Sequence, residues 1–342
     1  MNPMVREKFT AYGVPLSMLI CTWVVVTSMS PNFRGSASAY SVLEGSTLLG
    51  LVALGLGVTI IVGELDLSVG SMAAVAGVIA VLCAPMGLLP AIVIPVLCGI
   101  AFGMLQGYVI VKFRINSLVL TIGTLILLRG VAYMLSGNAP LPLSDYTVSD
   151  PMLERFGIFS IASIIALVIL TVLGMFLTYT KWGREIYAIG GAAQEAVTAG
   201  VPKIRPITIS FAISAGCASL AGAMATIRGG SAAPENYSGL LLAAAAAALL
   251  GGVSLYGGRG TVINVFIGSA ILSLIASGLA VRGSDAATVQ LVTGILLLIA
   301  ICLELALARY NRAGNYIPTF LRRRSSPQPK LSVNKVQYRE EL

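Results

Sequence analysis

Between Thr47 and Cys83 the chain carries only two charged residues, Glu64 and Asp66, in a stretch otherwise free of charge. A charged side chain at membrane depth costs roughly 2.5–3.5 kcal/mol on insertion scales. A segment that keeps two carboxylates there is expected to use them to line a cavity, hold a broken helix or meet a polar solute. The run reads Gly63–Glu64–Leu65–Asp66–Leu67–Ser68–Val69–Gly70–Ser71, with Gly55 and Gly57 just before it. These glycines permit irregular backbone, which a bilayer tolerates only where protein or water covers it. The competing reading is a short polar loop at the membrane surface, and the functional reading is the preferred one.

Composition fixes the class. Hydrophobic residues make up 57% of the chain and charged residues 11%, against about 25% charged in a soluble domain. The chain reads as an integral membrane protein without a separate soluble domain. The net charge of +8 therefore reports membrane orientation and not nucleic-acid binding. Cys21, Cys83, Cys98, Cys217 and Cys302 are scattered through apolar stretches without a C-x-x-C pair, which argues against disulfides and metal sites. There is no histidine, so the usual metal ligand and proton shuttle are missing. No G-x-x-x-x-G-K-[ST] occurs, so the chain is not by itself a standard ATPase. Arg6 and Lys8 precede an apolar run from Val14 to Val26. The small-residue pattern Ala37–Ser38–Ala39 lies well beyond that run, so it reads as an uncleaved first helix.

A helix needs about 20 apolar residues to cross a bilayer. Ten candidate stretches lie near 13–30, 42–62, 68–84, 89–111, 117–135, 158–179, 207–227, 240–256, 261–281 and 287–308. Those at 68–84 and 240–256 are short and rich in Gly and Ala, which suggests re-entrant or broken segments. With the N-terminus inside, ten spans give the inner side Arg6, Lys8, Lys112, Arg114, Lys181, Arg184, Lys203, Arg205, Arg259 and the basic residues from Arg309 onward. The outer side receives only Arg34, Arg155, Arg228 and Arg282, with five acids. This asymmetry fits the positive-inside rule with both termini cytoplasmic. The expected organisation is an all-α polytopic membrane protein with an internal pseudo-repeat. Its transmembrane domain covers residues 1–311, and a basic polar cytoplasmic tail covers 312–342.

Other polar residues have less decisive readings. Arg129, late in the fifth stretch, either pairs with an acid such as Glu44 or Asp66 or snorkels to the outer interface, and its place near a helix end favours snorkelling. Glu44 and Glu304 read as interfacial. The outer loop 136–157 reads equally as a lid or docking rim and as an ordinary loop. Trp182, Tyr179 and Tyr187 read as an interfacial aromatic belt. Gly123, Gly130, Ala218, Ala221, Gly222 and Ala225 offer small faces for helix contact. The glycine-rich run Gly251–Gly260 reads as a break that lets two helices approach. Paired with 63–71 it gives two Gly-interrupted segments in opposite halves, the pointer to a midplane transport path. In the inner loop 180–206, Gly190–Gly191 is expected to break the chain and residues 192–198 to form a short helix. Spacing alone slightly favours a plain connecting loop there.

Four stretches, in order, resemble one family. GELDLSVGS resembles the Gly-Gly-Ile-Asp-Leu-Ser-Val-Gly-Ser signature of bacterial ABC-transporter permeases for ribose, other monosaccharides and autoinducer-2. Thr121, Gly123, Thr124, Arg129 and Gly130 match a helix of that family. GREIYAIGG, followed by Ala196 and Gly200–Val201, is similar to its cytoplasmic loop, and LLGGVSLYGGRGTV to its glycine-rich stretch. The chain departs from the family pattern at Glu64 (usually Gly), Gln106 (usually Asn), Ala192 (usually Asn) and Leu241–Ala243. The resemblance implies an inner-membrane transport subunit, not an enzyme, that carries a monosaccharide or related polyol by alternating access. ATP and Mg would bind a separate ATP-binding cassette subunit, and this chain would hold no cofactor or metal. A second permease copy, an external solute-binding protein and membrane lipid are the other implied partners. Trp182, Gly183, Arg184, Glu185, Ala196, Gly200 and Val201 are expected to contact the ATP-binding subunit. Glu64, Asp66, Ser68, Ser71, Gln106, Asn116 and Ser254 are expected to border the path or its gate. The alternatives are an ABC permease for branched-chain amino acids or nucleosides, and a stand-alone secondary transporter.

Overall fold

The computed structural model describes residues 13–29 and 31–314. Arg6, Lys8 and the tail beyond 314 lie outside the described residues, as do the side chains of Glu304, Arg309 and Arg312. The chain divides after Cys302, and the following account concerns the unit that ends there. It is mostly helical: α1 (Val14–Met29), α2 (Ser36–Ile61), α3 (Val69–Cys83), α4 (Leu88–Phe113), α5 (Ser117–Ser136) and α6 (Ile161–Tyr179). Then follow α7 (Lys181–Gly191), α8 (Ala193–Thr198), α9 (Ile204–Gly229), α10 (Leu240–Leu250), α11 (Val262–Val281) and α12 (Ala286–Gly314), whose backbone continues past the division. Four two-residue strands form two small pairings. Leu141 faces Ala232 in β1 (Leu141–Pro142) and β4 (Ser231–Ala232), while β2 (Arg155–Phe156) and β3 (Phe159–Ser160) make a hairpin.

Each expected apolar stretch coincides with a helix. Among the described residues seven helices are long and apolar enough to cross a bilayer: α2, α3 with its short 3-10 extension to Met86, α4, α5, α6, α9 and α11. The 68–84 stretch is therefore long enough to span, contrary to the reading of it as short. The expected 240–256 segment instead ends at Leu250. Eleven helical residues rise only about 16 Å, half of a bilayer core. Gly252 at φ +91° ends it, with its N–H and that of Val253 closing on Leu249 and Ala248.

The order of layers follows from where small residues sit. Of the apolar stretch of α2, 83% is buried, and of α9, 78%, against 17% of α5. α2 and α9 are thus central, with α3 beside them, and α4, α5 and α6 turn apolar faces outward, as lipid contact requires. Apolar helices gain nothing from leaving lipid for each other, so close packing must hold them. On α4, Gly99, Gly103 and Gly107 recur every four residues against α9. A Cβ on Gly103 would collide with the Phe211 carbonyl, and one on Gly107 with the Thr208 backbone. Gly222 of α9 lies as close to the Ala73 carbonyl of α3. Ala218, Ala221 and Gly222 are buried as expected, but Gly123 and Gly130 of α5 face open space. The spacing of small residues does not reveal which side of a helix meets protein.

The loops sort to two ends. At one end, the expected outer side, β1 pairs with β4, and the Ser149 hydroxyl donates to the Ile227 carbonyl. Thr147 donates through its N–H and hydroxyl to Asp145, holding that exposed carboxyl below its usual range. Glu44 is buried within the protein at this end: it forms an ion pair with Arg228 of α9 at 2.6 Å and accepts from Ser160, which caps α6. Arg228 also donates to the Tyr40 hydroxyl, and Arg155 lies 4.0 Å over the Tyr40 ring. Among the described residues Arg129 forms no ion pair with an acid. It donates to the Pro234 carbonyl at 2.8 Å, fixing α5 to the segment after β4. These partners are a hundred or more positions apart in the chain, which is why local reading missed them.

Two outcomes test this packing. Gly103→Val should force α4 off α9 and prevent a monodisperse, folded protein in detergent, whereas Gly123→Val, whose Cβ meets nothing, should leave folding unchanged. Arg228→Met should lower stability by about 3 kcal/mol, because a buried carboxylate loses its counter-charge, and Glu44→Gln added to it should recover part of the loss in a thermal unfolding assay.

Candidate functional site

The other end gathers the motifs singled out in the sequence. α2 stops at Ile61 and the chain turns through Gly63 at φ +90°. In that turn Asp66 is 1% exposed. One carboxylate oxygen accepts the Ser68 N–H at 3.0 Å and the Ser68 hydroxyl at 2.5 Å, and the other accepts the Ser214 hydroxyl of α9 at 2.8 Å. Leu65 donates its N–H to Ser117, and its carbonyl accepts from Thr121, both on α5. Asp66 and Ser68 therefore fix the entry of α3 and clamp the turn to its neighbours. An irregular turn at membrane depth needs this, since every polar backbone group must find a partner.

The remaining path residues divide. Gln106 of α4 is buried, donates to Thr124 of α5 at 3.2 Å and also faces the Asp66 carboxyl. Ser71 is buried, and among the described residues its hydroxyl has no hydrogen-bond partner. Asn116 caps α5, its side-chain oxygen accepting the Leu118 N–H at 2.8 Å. Ser254 shapes the glycine-rich turn, its N–H bonding to the Arg259 carbonyl and its hydroxyl accepting from the Tyr256 N–H. Glu64 is half-buried, and among the described residues its carboxylate has no hydrogen bond or ion pair. Glu64 and Asn116 border a chamber of about 740 Å³ between the 63–65 turn, the end of α4, the start of α5, the start of α9 and Leu255. Arg114 and Lys203 also line it. The chamber does not touch Asp66, Ser68, Ser71, Gln106 or Ser254.

The inner loop is two helices, not a plain connection. Contrary to expectation, α7 runs through Gly190 and Gly191, and the break falls at Ala192 (φ −156°, ψ 78°). The glycine pair serves a close approach. A Cβ on Gly190 would overlap the Ile61 carbonyl oxygen and crowd the Gly258 N–H. Gly258 in turn donates its N–H to that Ile61 carbonyl at 2.8 Å. Gly257 and Gly258 both have positive φ and face the backbone of Gly190 and Gly191. The Tyr187 hydroxyl donates to the Gly260 carbonyl at 2.8 Å, which ties α7 to the glycine-rich turn. Three separate segments thus join at the end of α2 by backbone contact.

The residues assigned to partner contact split in the same way. Glu185 is buried and paired with Arg205 at 3.3 Å, which ties α7 to α9. Gly183 sits under the Leu177 carbonyl, its N–H capped by Thr180. Ala196 is 8% exposed, and its carbonyl accepts the Val201 N–H beyond Gly200 at φ +90°. Trp182 and Arg184 remain exposed, with Trp182 6.3 Å from the Phe176 ring and Arg184 donating to the Tyr179 carbonyl. Every residue of α8 except Ala196 is exposed, Gln194, Glu195 and Val197 among them. Arg114, Lys203 and the Gly190–Gly258 seam were missed as site features. Only the glycine density of the two runs hinted at the seam. Among the described residues no group of His, Cys, Asp and Glu could hold a metal ion.

Comparison with known proteins agrees with this architecture. Residues 38–301 match the family described as "Branched-chain amino acid transport system / permease component". The chain is 29% identical over 297 residues to the ribose import permease protein RbsC of Escherichia coli, covering 84% of this chain and 92% of the relative. It is 30% identical over 276 residues to the L-arabinose ABC transporter permease protein AraH of Azospirillum brasilense, covering 80% and 81%. It is also 30% identical over 282 residues to the D-allose transport system permease protein AlsC of Escherichia coli, covering 81% and 86%. No solved structure matches. With the family matching across most of its length and its membrane helices in place, the chain belongs to this family of ABC-transporter permeases of the bacterial inner membrane.

Proposed function

We propose that this chain is the translocating subunit of an importer for a monosaccharide or related polyol, working by alternating access driven by ATP hydrolysis in a separate ATP-binding subunit. One observation supports this most: the backbone seam joins α7 to the end of α2 and to the glycine-rich turn, beside a chamber bordered by both. A push on α7 and α8 from an ATP-binding partner, with ATP and Mg bound there, would reach the chamber wall without passing through flexible side chains. The protein then supplies contacts that differ between two conformations and no bond-breaking step. Ten membrane segments with both ends in the cytoplasm are part of this reading. So are a second permease copy and an external solute-binding protein, which would carry most of the specificity. The family description names branched-chain amino acids, but relatives named for ribose, arabinose and allose favour a sugar. Uptake by the reconstituted assembly, with labelled sugars against labelled leucine, separates the two.

Two outcomes follow. Cysteines at Gln194 or Val197, two exposed positions of α8, should cross-link to the ATP-binding subunit in a functional assembly, while cysteine at the buried Ala196 should react poorly. An assembly that transports and gives no cross-link from α8 would place the docking surface elsewhere. Asp66→Ala leaves three donors unpaired and should cost about 2–3 kcal/mol, seen as a lowered unfolding temperature and weaker uptake. Glu64→Gly, which removes no contact of the fold, should leave the unfolding temperature unchanged. Equal stability of Asp66→Ala and wild type would contradict the assignment of Asp66 to the fold.

A further inference from the structure

The chamber holds charged groups that the packing does not use. Resting on the reading of the chain as an importer permease, we infer that it is a low-affinity exit site for an uncharged, polyhydroxylated solute. Glu64 accepts from the solute's hydroxyls, and Lys203, Arg114 and Asn116 donate to them.

The argument begins with what each group is free to do. Asp66 has both oxygens engaged by Ser68 and Ser214, so the turn's structural acceptor is already spent. Glu64, two positions earlier, lies on the chamber wall. Its backbone N–H closes α2 on Thr59, which fixes where the side chain starts. Asn116 uses its side-chain oxygen to cap α5, leaving its amide nitrogen, a donor. Arg114 ends α4 in the left-handed region at φ 54°. A residue other than glycine held there costs on the order of 1 kcal/mol, and here that conformation falls at the chamber wall. Among the described residues neither Arg114 nor Lys203 forms an ion pair, and neither approaches Glu64 within salt-bridge distance.

One acceptor therefore faces three donors across open volume. A cation would meet Arg114 and Lys203, an anion would meet Glu64, and an apolar solute would strip water from all three charges. A hydroxyl both donates and accepts, so a polyol satisfies both sets at once. The chamber's 740 Å³ leaves room for water around a small solute, which keeps the contact weak and lets it leave. A zwitterionic amino acid would also present both signs of charge. The sugar permeases among the relatives favour the polyol.

The test uses the whole assembly with its ATP-binding partner in nanodiscs, carrying Ile115→Cys on the chamber wall. The readout is the rate at which a sulfonated methanethiosulfonate modifies that thiol. At least one of ribose, arabinose and allose should slow modification, and leucine should not. Adding Glu64→Ala should raise the sugar concentration needed for protection about tenfold, the worth of one hydrogen bond to a charged group. Lys203→Met in the same background should act in the same direction, and serves if Glu64→Ala does not assemble. Protection by leucine alone, or sugar protection unchanged by either substitution, overturns the proposal. Absence of sugar protection with ATP-driven sugar uptake intact overturns the exit site and leaves the importer reading standing. Absence of ATP-driven uptake in the unsubstituted assembly would instead overturn the importer reading, and the exit site with it.

Discussion

The carbonyl of Ile61 sets the arrangement of the inner end. It lies at the last residue of the most buried helix, where no water replaces a lost partner. Its bond comes from Gly258, nearly two hundred residues on, and the backbone of Gly190 packs against the same oxygen. A side chain at position 190 would separate all three. Once that contact is made, α7 lies under α2, Tyr187 reaches Gly260, and Glu185 is positioned for Arg205 at the start of α9. The chamber is what remains between these anchored pieces and the ends of α4 and α5.

Both ends of the molecule are held by long-range polar contacts, and the inner end adds a glycine seam. The outer end uses long-range polar side-chain contacts: Glu44 to Arg228, Arg129 to Pro234 and Tyr133 to Glu235, with Arg155 over Tyr40. The inner end adds close backbone contact through glycine to its own side-chain bonds, Asp66 to Ser214 and Glu185 to Arg205, while Glu64, Arg114 and Lys203 form no ion pair among the described residues. Side-chain clamps tolerate small shifts only by breaking, whereas a backbone seam carries displacement as a unit.

Much of this was legible in the sequence, for reasons that also mark where reading stopped. The membrane class and the helical stretches follow from composition and length, because the bilayer penalises every unpaired polar group. Asp66 stood out as a carboxylate in an uncharged run, but that it clamps the turn needed its bond to Ser214, 148 positions away. The partners of Glu44 and Arg129, Arg228 and Pro234, were not legible because they are distant in sequence and local context said only that both residues lay near helix ends. Gly190–Gly191 was read as a break because glycine destabilises an isolated helix, yet here tertiary contact pays that cost and gains the close approach. Gly123 and Gly130 were read as contacts and Gly99, Gly103 and Gly107 were passed over, since small residues identify a packing face only once the neighbour is known.

The central claim is that α7, the end of α2 and the 251–260 turn move as one body. Spin labels at Arg184→Cys on α7 and Tyr256→Cys on the turn report it directly, by distance measurement in the assembly with and without ATP. The account predicts the same α7-to-turn distance in both states, while the distance from α7 to a label at Val119→Cys on α5 changes. An α7-to-turn distance that shifts as much as the α7-to-α5 distance would contradict it.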